Sequence, residues 1–445
     1  MVKSYKLHKL AGLLGGIFLL ILSISGFLLD HDKWSFLYDT TFKSVPSHIL
    51  KAENRLFNVY YQDPENPVHL IVGGQRGLYE SFDVGESFHK LSSLQILSAV
   101  DYDKELYLAT SDGVYIFDTK LHSFALKGKY ITALSVSQEK IAAVVDKKEI
   151  VLLARKSAKI LQKNIAKIDA SQLQEDIKLS RFIRDLHYGR GLFDGDISLL
   201  INDYGTLFLI YLGLSGYMLW WLIHRKKKAK LSRKLIKTHA NIFAIIALIP
   251  LFILAVTGVF LDHSSGLAKF MKSVTIPHVV LPPVYDSLKS DIWSIDYDGN
   301  ICRVGNRYGV YASHDFQNWK LENRGFAYKM IRKGDTLYIS GMGAPNRVLK
   351  NGDYSLLPNT PHMFKGVIES EKGISYFSTM NATHTLPKFQ DVTLYTLLLS
   401  LHNGTFFVPW WVWVNDFAAF GLLILGITGM IRWYKKKEFY KKLFS

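Results

Sequence analysis

Four stretches of this sequence are apolar over the length that a lipid bilayer requires. A spanning helix needs about 20 mostly apolar residues, and such segments lie at roughly 10–29, 204–223, 240–261 and 415–431. Nothing after the first segment resembles a cleavage site, so we expect it to remain as an anchor. The sequence therefore predicts a membrane α-helical protein with a four-helix transmembrane bundle.

The four segments form two copies of one unit, because the polar residues around them recur at matched spacing. Gly-to-His is five residues at the end of the first and third segments, and Asp-to-Gly and Gly-to-Trp are thirteen and four in the second and fourth. Both copies run in the same direction, which predicts parallel tandem repeats related by an axis along the membrane normal. The matched residues are His8/His239, His31/His263, His187/His402, Asn202-Asp203/Asn415-Asp416, Gly216/Gly429 and Trp220/Trp433.

The positive charge of the chain is concentrated beside the apolar segments. Residues 1–9, 224–238 and 432–445 hold seventeen Lys and Arg against one acid, Glu438. Subtracting these from the totals of 54 basic and 38 acidic residues leaves 37 of each. The net charge of +16 is thus a positive-inside signal and gives no support to nucleic-acid binding. Both termini and the central loop are expected in the cytoplasm of a multi-pass protein, and a bacterial inner membrane with large periplasmic domains is the simplest setting.

These signals divide the chain into eight segments. The predicted transmembrane helices are 1–31, 197–224, 239–263 and 405–433, the periplasmic β-rich segments are 32–196 and 264–404, and the basic cytoplasmic loop and tail are 225–238 and 434–445.

The two outward segments are typical of strands joined by turns. Short β-branched and aromatic runs are broken by Gly, Asp and Asn, and a lone cysteine, Cys302, excludes disulfides within the domain. SFDVGESF (81–88) is similar to the structural Asp-box turn of β-propeller blades, and 77–91 resembles 309–321. We expect a propeller-like domain of two related halves. Residues 171–187 are predicted to form a helix that leads to His187.

Three matched histidine pairs are the candidate cofactor ligands. A continuous helix places His8 and His31 about 34 Å apart, so His8 and His239 face each other on the cytoplasmic side and four histidines lie outside. Two facing neutral imidazoles are the axial ligands of a low-spin haem iron. Zinc fits less well, because no Cys or Glu-x-x-His spacing accompanies them. The outer four are His31, His187, His263 and His402, and their pairing stays open.

Residues near the histidines suggest space and charge for a porphyrin. Gly12, Gly15 and Gly16 follow His8 at helical spacing, whereas His239 has Ala247. The basic residues Lys6, Lys9, Lys237 and Arg190 could pair with propionates.

Two further matched elements allow a structural and a functional interpretation. Asp203 and Asp416 could handle protons or support a ligand histidine, and a helix cap by the Asn-Asp pairs is equally good. The Ser/Thr-Gly steps that contain Gly26, Gly216, Gly258 and Gly429 favour close helix packing over chemistry.

The order of these motifs resembles the PepSY-associated transmembrane family, which includes ferric-siderophore reductases of the bacterial inner membrane. The likeness covers all four membrane helices, is most specific in LHYG and LHNG around His187 and His402, and does not extend to the outward domain. It implies two bis-histidine b-type haems, one near each membrane face. His8 and His239 match the cytoplasmic ligands, His187 and His402 match the LH motif, and His31 and His263 match a less general ending.

The resemblance implies an oxidoreductase that passes electrons outward to Fe(III) held by a siderophore or another chelate. No dinucleotide fold is encoded, so the donor would be the quinol pool or a separate cytoplasmic reductant. One alternative is a haem-free, membrane-anchored sensor or assembly protein whose outward domain binds a ligand or partner. Another is an ion-coupled transporter whose histidines and aspartates form an ion path.

Overall fold

The chain folds into two compact units. The computed structural model describes residues 2–193, 195–225, 229–286, 291–370, 373–380 and 384–444. The helical unit comprises Met1–Trp34, Leu173–Tyr285 and Tyr395–Ser445, and the β-rich unit comprises Ser35–Gln172 and Asp286–Leu394. Each unit is therefore built from both sequence repeats.

The long helices all belong to the helical unit, which also contains shorter ones. In chain order they are α1 Val2–Asp30, α2 Phe36–Asp39, α3 Ser47–Leu50, α4 Leu179–His187, α5 Gly195–His224, α6 Ala229–His239, α7 Ile242–Asp262, α8 Ala268–Ser273, α9 Leu394–His402 and α10 Val412–Phe444. Single 3₁₀ turns lie at Lys51–Leu56, Ser171–Leu173, His278–Val280, Pro283–Asp286 and Pro409–Trp411.

Four of these helices are long and apolar enough to cross a membrane, which confirms the predicted fold class. The spanning portions are Ser4–Asp30, Gly195–His224, Ile242–Asp262 and Val412–Lys435. Leu19, Leu251 and Ala418 are among the side chains buried where the helices meet. Asn241 caps α7, since its side chain accepts from the backbone N–H of Ala244 at 2.8 Å. This cap separates α7 from α6, so His239 ends the short basic helix before the third span.

The helix that leads to His187 is shorter than predicted. It begins at Leu179, because Ile177–Lys178 pairs as a strand with Thr275–Ile276. Acidic and apolar residues at helical spacing over 171–178 favour a longer helix. Strand pairing with a segment remote in sequence overrides that local preference.

Among its described residues, the β-rich unit forms five four-stranded antiparallel sheets and further two-stranded sheets. The blades, numbered along the chain, are blade 1 (Phe57–Gln62, Leu70–Gly74, Gly77–Ser81, His89–Ser92), blade 2 (Ile96–Tyr102, Glu105–Thr110, Gly113–Phe117, Leu121–Ala125), blade 3 (Ile131–Val136, Lys140–Val145, Glu149–Ala154, Ile160–Ile165), blade 4 (Ser294–Tyr297, Cys302–Gly305, Gly309–Ser313, Lys320–Arg324), blade 5 (Ala327–Lys333, Thr336–Gly341, Arg347–Lys350, Asp353–Leu356) and blade 6 (Gly366–Ser370, Gly373–Phe377). Thr41–Phe42 pairs with Val392–Thr393.

The first strands of the six blades form a ring. Each contacts the first strand of the next blade, and blade 6 contacts both blade 5 and blade 1, as in a β-propeller. The blades stack through apolar faces; Tyr107 of blade 2 and Ile131 and Val151 of blade 3 belong to one buried cluster. Burial of each such side chain contributes roughly 1.5–3 kcal/mol. The predicted propeller-like domain is therefore present.

The two Asp-box-like segments occupy equivalent turns, between the third and fourth strands of blades 1 and 4. Asp83 accepts from the backbone N–H of Ser87 at 2.9 Å, and Asp315 accepts from that of Asn318 at 2.8 Å. In each turn a serine at the strand end donates to the aspartate, Ser81 at 2.7 Å and Ser313 at 2.9 Å. These contacts give both aspartates a structural role.

Candidate functional site

Four of the six matched histidines make the same hydrogen bond. In each, Nδ1 lies 2.7–3.0 Å from a serine or threonine hydroxyl on a membrane-spanning helix of the other repeat. The pairs are His8 with Thr428, His239 with Ser215, His187 with Thr257 and His402 with Ser25.

The hydroxyl partners determine which ring nitrogen carries the proton. The hydroxyls of Ser25, Thr257 and Thr428 donate to the carbonyl four residues earlier at 2.6–2.7 Å, and that of Ser215 donates to Leu212 at 3.3 Å. A hydroxyl has one proton, so it must accept from the imidazole. Nδ1 is therefore the protonated nitrogen, and a neutral ring then presents an unprotonated Nε2 that can bind a metal.

A glycine next to each hydroxyl makes room for the ring. An added Cβ at Gly26 would lie 3.1 Å from Cε1 of His402, and one at Gly258 would lie 3.5 Å from Cε1 of His187. At Gly216 and Gly429 the corresponding distances, to His239 and His8, are 3.7 and 3.8 Å. The Ser/Thr-Gly step thus holds a histidine by its hydroxyl and accepts the ring on its glycine, a role that sequence reasoning did not assign to it. The signal was available, because the step recurs four times.

His187 and His402 lie together, and we call them the paired site. Their ring centres are 6.2 Å apart with an angle of 54° between the planes. Two imidazoles that bind one metal from opposite sides at about 2 Å have centres roughly 6 Å apart once the ring radii are included. Burial lowers the pKa of both groups to about 4, so both rings are neutral near pH 7, as ligation requires.

The LH-x-G motif positions these rings. Gly189 and Gly404 follow the histidines by two residues and have φ of +61° and +71°, the left-handed conformation that ends a helix. A Cβ at either glycine would lie 3.0 Å from the side-chain nitrogen of a matched asparagine. That nitrogen donates to the histidine carbonyl, from Asn415 to His402 at 2.8 Å and from Asn202 to His187 at 3.4 Å.

His8 and His239 line one cavity of about 950 Å³, and we call this the cavity site. The volume is at the upper end of the range for small-molecule sites, about 300–1,000 Å³. Gly12 and Gly16 line it as predicted, whereas Gly15 and Ala247 lie outside the lining. Lys9 is the predicted propionate partner in the lining, and Arg432, which sequence reasoning did not single out, lies there too.

The remaining pair, His31 and His263, has a different environment. Nε2 of His263 is 2.6 Å from the carboxylate of Asp416, and Nε2 of His31 is 3.6 Å from that of Asp203. Nδ1 of His31 also bonds to the carbonyl of Phe27 at 2.8 Å. Both nitrogens of His31 and the Nε2 of His263 therefore face protein acceptors.

The asparagine and the aspartate of each Asn-Asp pair have different partners. Each asparagine contacts the carbonyl of a paired-site histidine, and each aspartate faces His31 or His263. Helices α5 and α10 begin at Gly195 and Val412, so these residues lie inside helices and the cap interpretation is wrong. Each aspartate keeps a second buried oxygen, Oδ1 of Asp203 and of Asp416, without a hydrogen-bond partner in the described part of the chain.

These side chains suit a ligand set of two imidazoles. Within the described ranges, no group of three or more His, Cys, Asp or Glu could hold a bare metal ion. Iron in a porphyrin already has four nitrogen ligands and takes two more from the protein, so the cavity site and the paired site each offer the number that haem needs.

A model of the PepSY-associated transmembrane region matches residues 100–436. The chain belongs to this family. The match runs from blade 2 of the β-rich unit to residue 436 of α10, and hence includes four of the six matched histidines. It also covers most of the outward domain, to which the motif likeness alone did not extend. His8 on α1 and His31, which follows α1, precede the matched region.

No curated protein matches this chain. Among solved structures, it is similar to the extracellular domain of a hybrid two-component system from B. thetaiotaomicron (9% identity, 78% of this chain and 34% of that chain, TM-score 0.33). It is also similar to BamB from Moraxella catarrhalis (9%, 67% and 57%, TM-score 0.31) and to the WD40 domain of Toxoplasma gondii coronin (9%, 76% and 71%, TM-score 0.32). The chain thus spans about a third to a little over half of the first two. None of these distant likenesses carries a function over.

Proposed function

We propose that this protein is a haem-containing membrane oxidoreductase that carries electrons across the bacterial inner membrane and reduces periplasmic Fe(III) chelates, such as ferric siderophores. The cofactors would be two b-type haems, one at the cavity site and one at the paired site. Membership of the PepSY-associated family and four spanning helices support a membrane role.

The observation that carries the proposal is the common arrangement of four histidines. Each donates through Nδ1 to a hydroxyl and rests on a glycine, and the other ring nitrogen is unprotonated. A histidine with only a structural role has no need of this tautomer, whereas a ligand histidine is usually fixed by a bond from its second nitrogen.

The hydrogen-bond partners of the ring nitrogens favour His187 and His402 over His31 and His263 as ligands. The rings of the first two have centres 6.2 Å apart, a spacing that one iron with two imidazole ligands fits, and their Nδ1 atoms are the ones that bond to hydroxyls. The other two direct Nε2 at a carboxylate, so ligation would require that contact to break. We therefore do not assign His31 and His263 as haem ligands.

The two sites lie towards opposite ends of the helices. Along α1, His8 and Ser25, the partner of His402, are separated by about 25 Å at 1.5 Å per residue, which approaches the thickness of the hydrocarbon core, about 30 Å. A haem iron with two histidine ligands accepts and releases one electron. The protein supplies two such positions on one route through the bilayer.

Charge supports the orientation. Lys9 and Arg432 line the cavity site, and the basic clusters at 1–9, 224–238 and 432–445 favour a cytoplasmic location for that end. Electrons would then enter at the cavity site from a quinol or a cytoplasmic reductant and leave at the paired site. The basic side chains there can also pair with haem propionates.

The first experiment is an absorption spectrum of detergent-purified protein from haem-replete cells. We expect a Soret band that shifts on reduction by dithionite and a content of two haems per chain. His8→Ala and His187→Ala should each retain one haem, and His31→Ala, the matched control, should retain two. A colourless wild-type protein, or loss of haem in the control alone, would contradict the assignment.

A second experiment tests the reaction. Dithionite-reduced protein, freed of excess reductant, is mixed with a ferric siderophore, and haem reoxidation is followed by stopped flow while a chromogenic chelator captures Fe(II). We expect one Fe(II) for each haem oxidised, and a much slower reaction in His187→Ala. Reoxidation by oxygen but not by the ferric chelate would retain the haem protein and refute the reductase.

A further inference from the structure

Two lysines at the centre of the propeller ring reach towards other blades. Nζ of Lys329, on the first strand of blade 5, donates to the carbonyl of Leu97, on the first strand of blade 2, at 3.0 Å. Blades 2 and 5 are opposite in a ring of six, so this side chain crosses the central channel. Nζ of Lys365, just before blade 6, donates to the carbonyl of Arg55 at 3.2 Å, to the carbonyl of Phe57 in blade 1 at 2.6 Å and to the side chain of Asn58 at 3.1 Å.

All these groups lie at or just before the beginnings of the inner strands. Leu97 and Asn58 are the second residues of their strands, and the ladder register shifts at both. A third shift, at Tyr328, immediately precedes Lys329. Such bulges redirect side chains and are common beside functional sites. The repeated bulge therefore marks one mouth of the channel, where both ammonium groups lie.

The two lysines have no carboxylate partner in the described part of the chain. An ammonium group has three N–H donors. Among the described residues Lys365 has an acceptor for each of the three, whereas Lys329 has one acceptor and keeps two donors. Burial lowers its pKa to about 8, and burial together with the charge of Lys329 lowers the pKa of Lys365 to about 7. Buried charges are normally paired, so two cations that repel each other at one mouth leave an unmet requirement for negative charge.

Another unsatisfied polar group lies at the start of the same inner strand as Leu97. Gln95 immediately precedes the first strand of blade 2 and is 2% exposed. Neither its side-chain oxygen nor its nitrogen has a hydrogen-bond partner among the described residues. A ligand or ordered water with polar atoms is the usual solution for such a group.

We propose that this mouth of the propeller channel, formed by Lys329 and Lys365, binds a small oxyanion whose carboxylate or phosphate oxygens accept the two remaining donors of Lys329 and whose charge balances both ammonium groups. Lys365 is partly exposed, which gives a ligand access. The site lies within the β-rich unit and does not depend on haem binding, so it would give this unit a ligand-binding function of its own.

Isothermal titration of the detergent-purified full chain at pH 7 tests the proposal, with citrate as the carboxylate probe and orthophosphate as the phosphate probe. We expect one equivalent of at least one probe to bind, and the stronger probe identifies the oxyanion class. Lys329→Met and Lys365→Met should each weaken binding at least tenfold. Lys350→Met, at an exposed position of blade 5, is the matched control and should bind as the wild type does.

A measurement on the wild type alone covers the case in which a variant does not fold. Lysines are acetylated with a water-soluble active ester, and the rate at each site is read by mass spectrometry. The bound probe should slow acetylation of Lys365 at least threefold and leave Lys350 unchanged. Absence of binding by both probes, equal binding by all variants, or an unchanged rate at Lys365 would overturn the proposal. The haem spectrum of the same sample reports separately on the proposed redox function.

Discussion

Replacement of Thr428 by valine isolates the contribution of one hydroxyl to the haem site that we propose at His8 and His239. Valine has nearly the same shape as threonine, so the space beside Gly429 is kept. The change removes the acceptor of the 2.8 Å bond from Nδ1 of His8. Any loss of haem affinity can then be attributed to the hydrogen bond, because ring packing is preserved.

The expected magnitude follows from two effects of that lost bond. A buried donor left without an acceptor costs about 1–3 kcal/mol, which corresponds to roughly 5–150-fold in an equilibrium constant. The ring can also move its proton to Nε2, which then cannot ligate. Loss of such outer-shell partners typically lowers metal affinity by about 10–100-fold, and we expect Thr428→Val to weaken the cavity site within this range.

The assay is a haem titration of the apoprotein in a His187→Ala background, where the cavity site is the remaining bis-histidine site. Thr428→Ser keeps the hydroxyl and should bind within about threefold of the parent, well inside the effect expected from a lost buried bond. Equal affinity in the valine and serine variants would refute the argument that the hydroxyl fixes the tautomer.

Three further predictions test other parts of the structure. Gly26→Val should remove the haem of the paired site and leave that of the cavity site, since even a Cβ at this position lies 3.1 Å from Cε1 of His402. The haem content, measured as pyridine haemochrome, tests this, and retention of both haems would count against it. Asp416→Leu should keep both haems and lower the unfolding temperature, because it removes the 2.6 Å partner of His263 at a cost of about 1–3 kcal/mol. Loss of a haem would instead show that the His263–Asp416 contact supports ligation. Asp291→Asn should destabilise the protein by about 3–5 kcal/mol in chemical unfolding, because the buried guanidinium of Arg307 loses its counter-charge, and a change below 1 kcal/mol would contradict this account.

The Asp291–Arg307 ion pair also predicts that stability depends on pH. Burial raises the pKa of Asp291, but the charge of Arg307 and hydrogen bonds together outweigh it and hold this pKa below its usual value. A carboxylate with a lowered pKa contributes stability above its unfolded pKa, about 3.9, that is lost as the pH falls through the folded value. The wild type should therefore lose part of its advantage over Asp291→Asn in acid.

Sequence reasoning predicted the parts of this protein that depend on periodicity. Four apolar segments, the duplication and the recurrence of six histidines are properties of spacing, and turn residues between short strands indicated the propeller. The pairing of the outer histidines could not be predicted, because the sequence places His31, His187, His263 and His402 all on the outer side of the membrane and does not distinguish among them. Their difference depends on which nitrogen meets a hydroxyl and which meets a carboxylate.

Two other features needed the tertiary structure. The Ser/Thr-Gly step is common where helices pack closely, and nothing in one helix shows that a histidine from the other repeat lies on it. The start of α4 was misplaced because Ile177 pairs with Ile276, about 100 residues away. Lys329 and Lys365 gave no sequence signal, since their meeting depends on ring closure.

The exchange of hydrogen bonds between repeats bears on how such a protein can arise. His8 of the first half bonds to Thr428 of the second, and His239 of the second bonds to Ser215 of the first. The imidazoles of the cavity site and the paired site bond to hydroxyls of the opposite half, and each of these four bonds has a reciprocal counterpart. A homodimer of a single half could make the same four contacts with two-fold symmetry. Fusion of such an ancestral pair would let the two sites diverge, and the two halves expressed as separate polypeptides should still recognise each other.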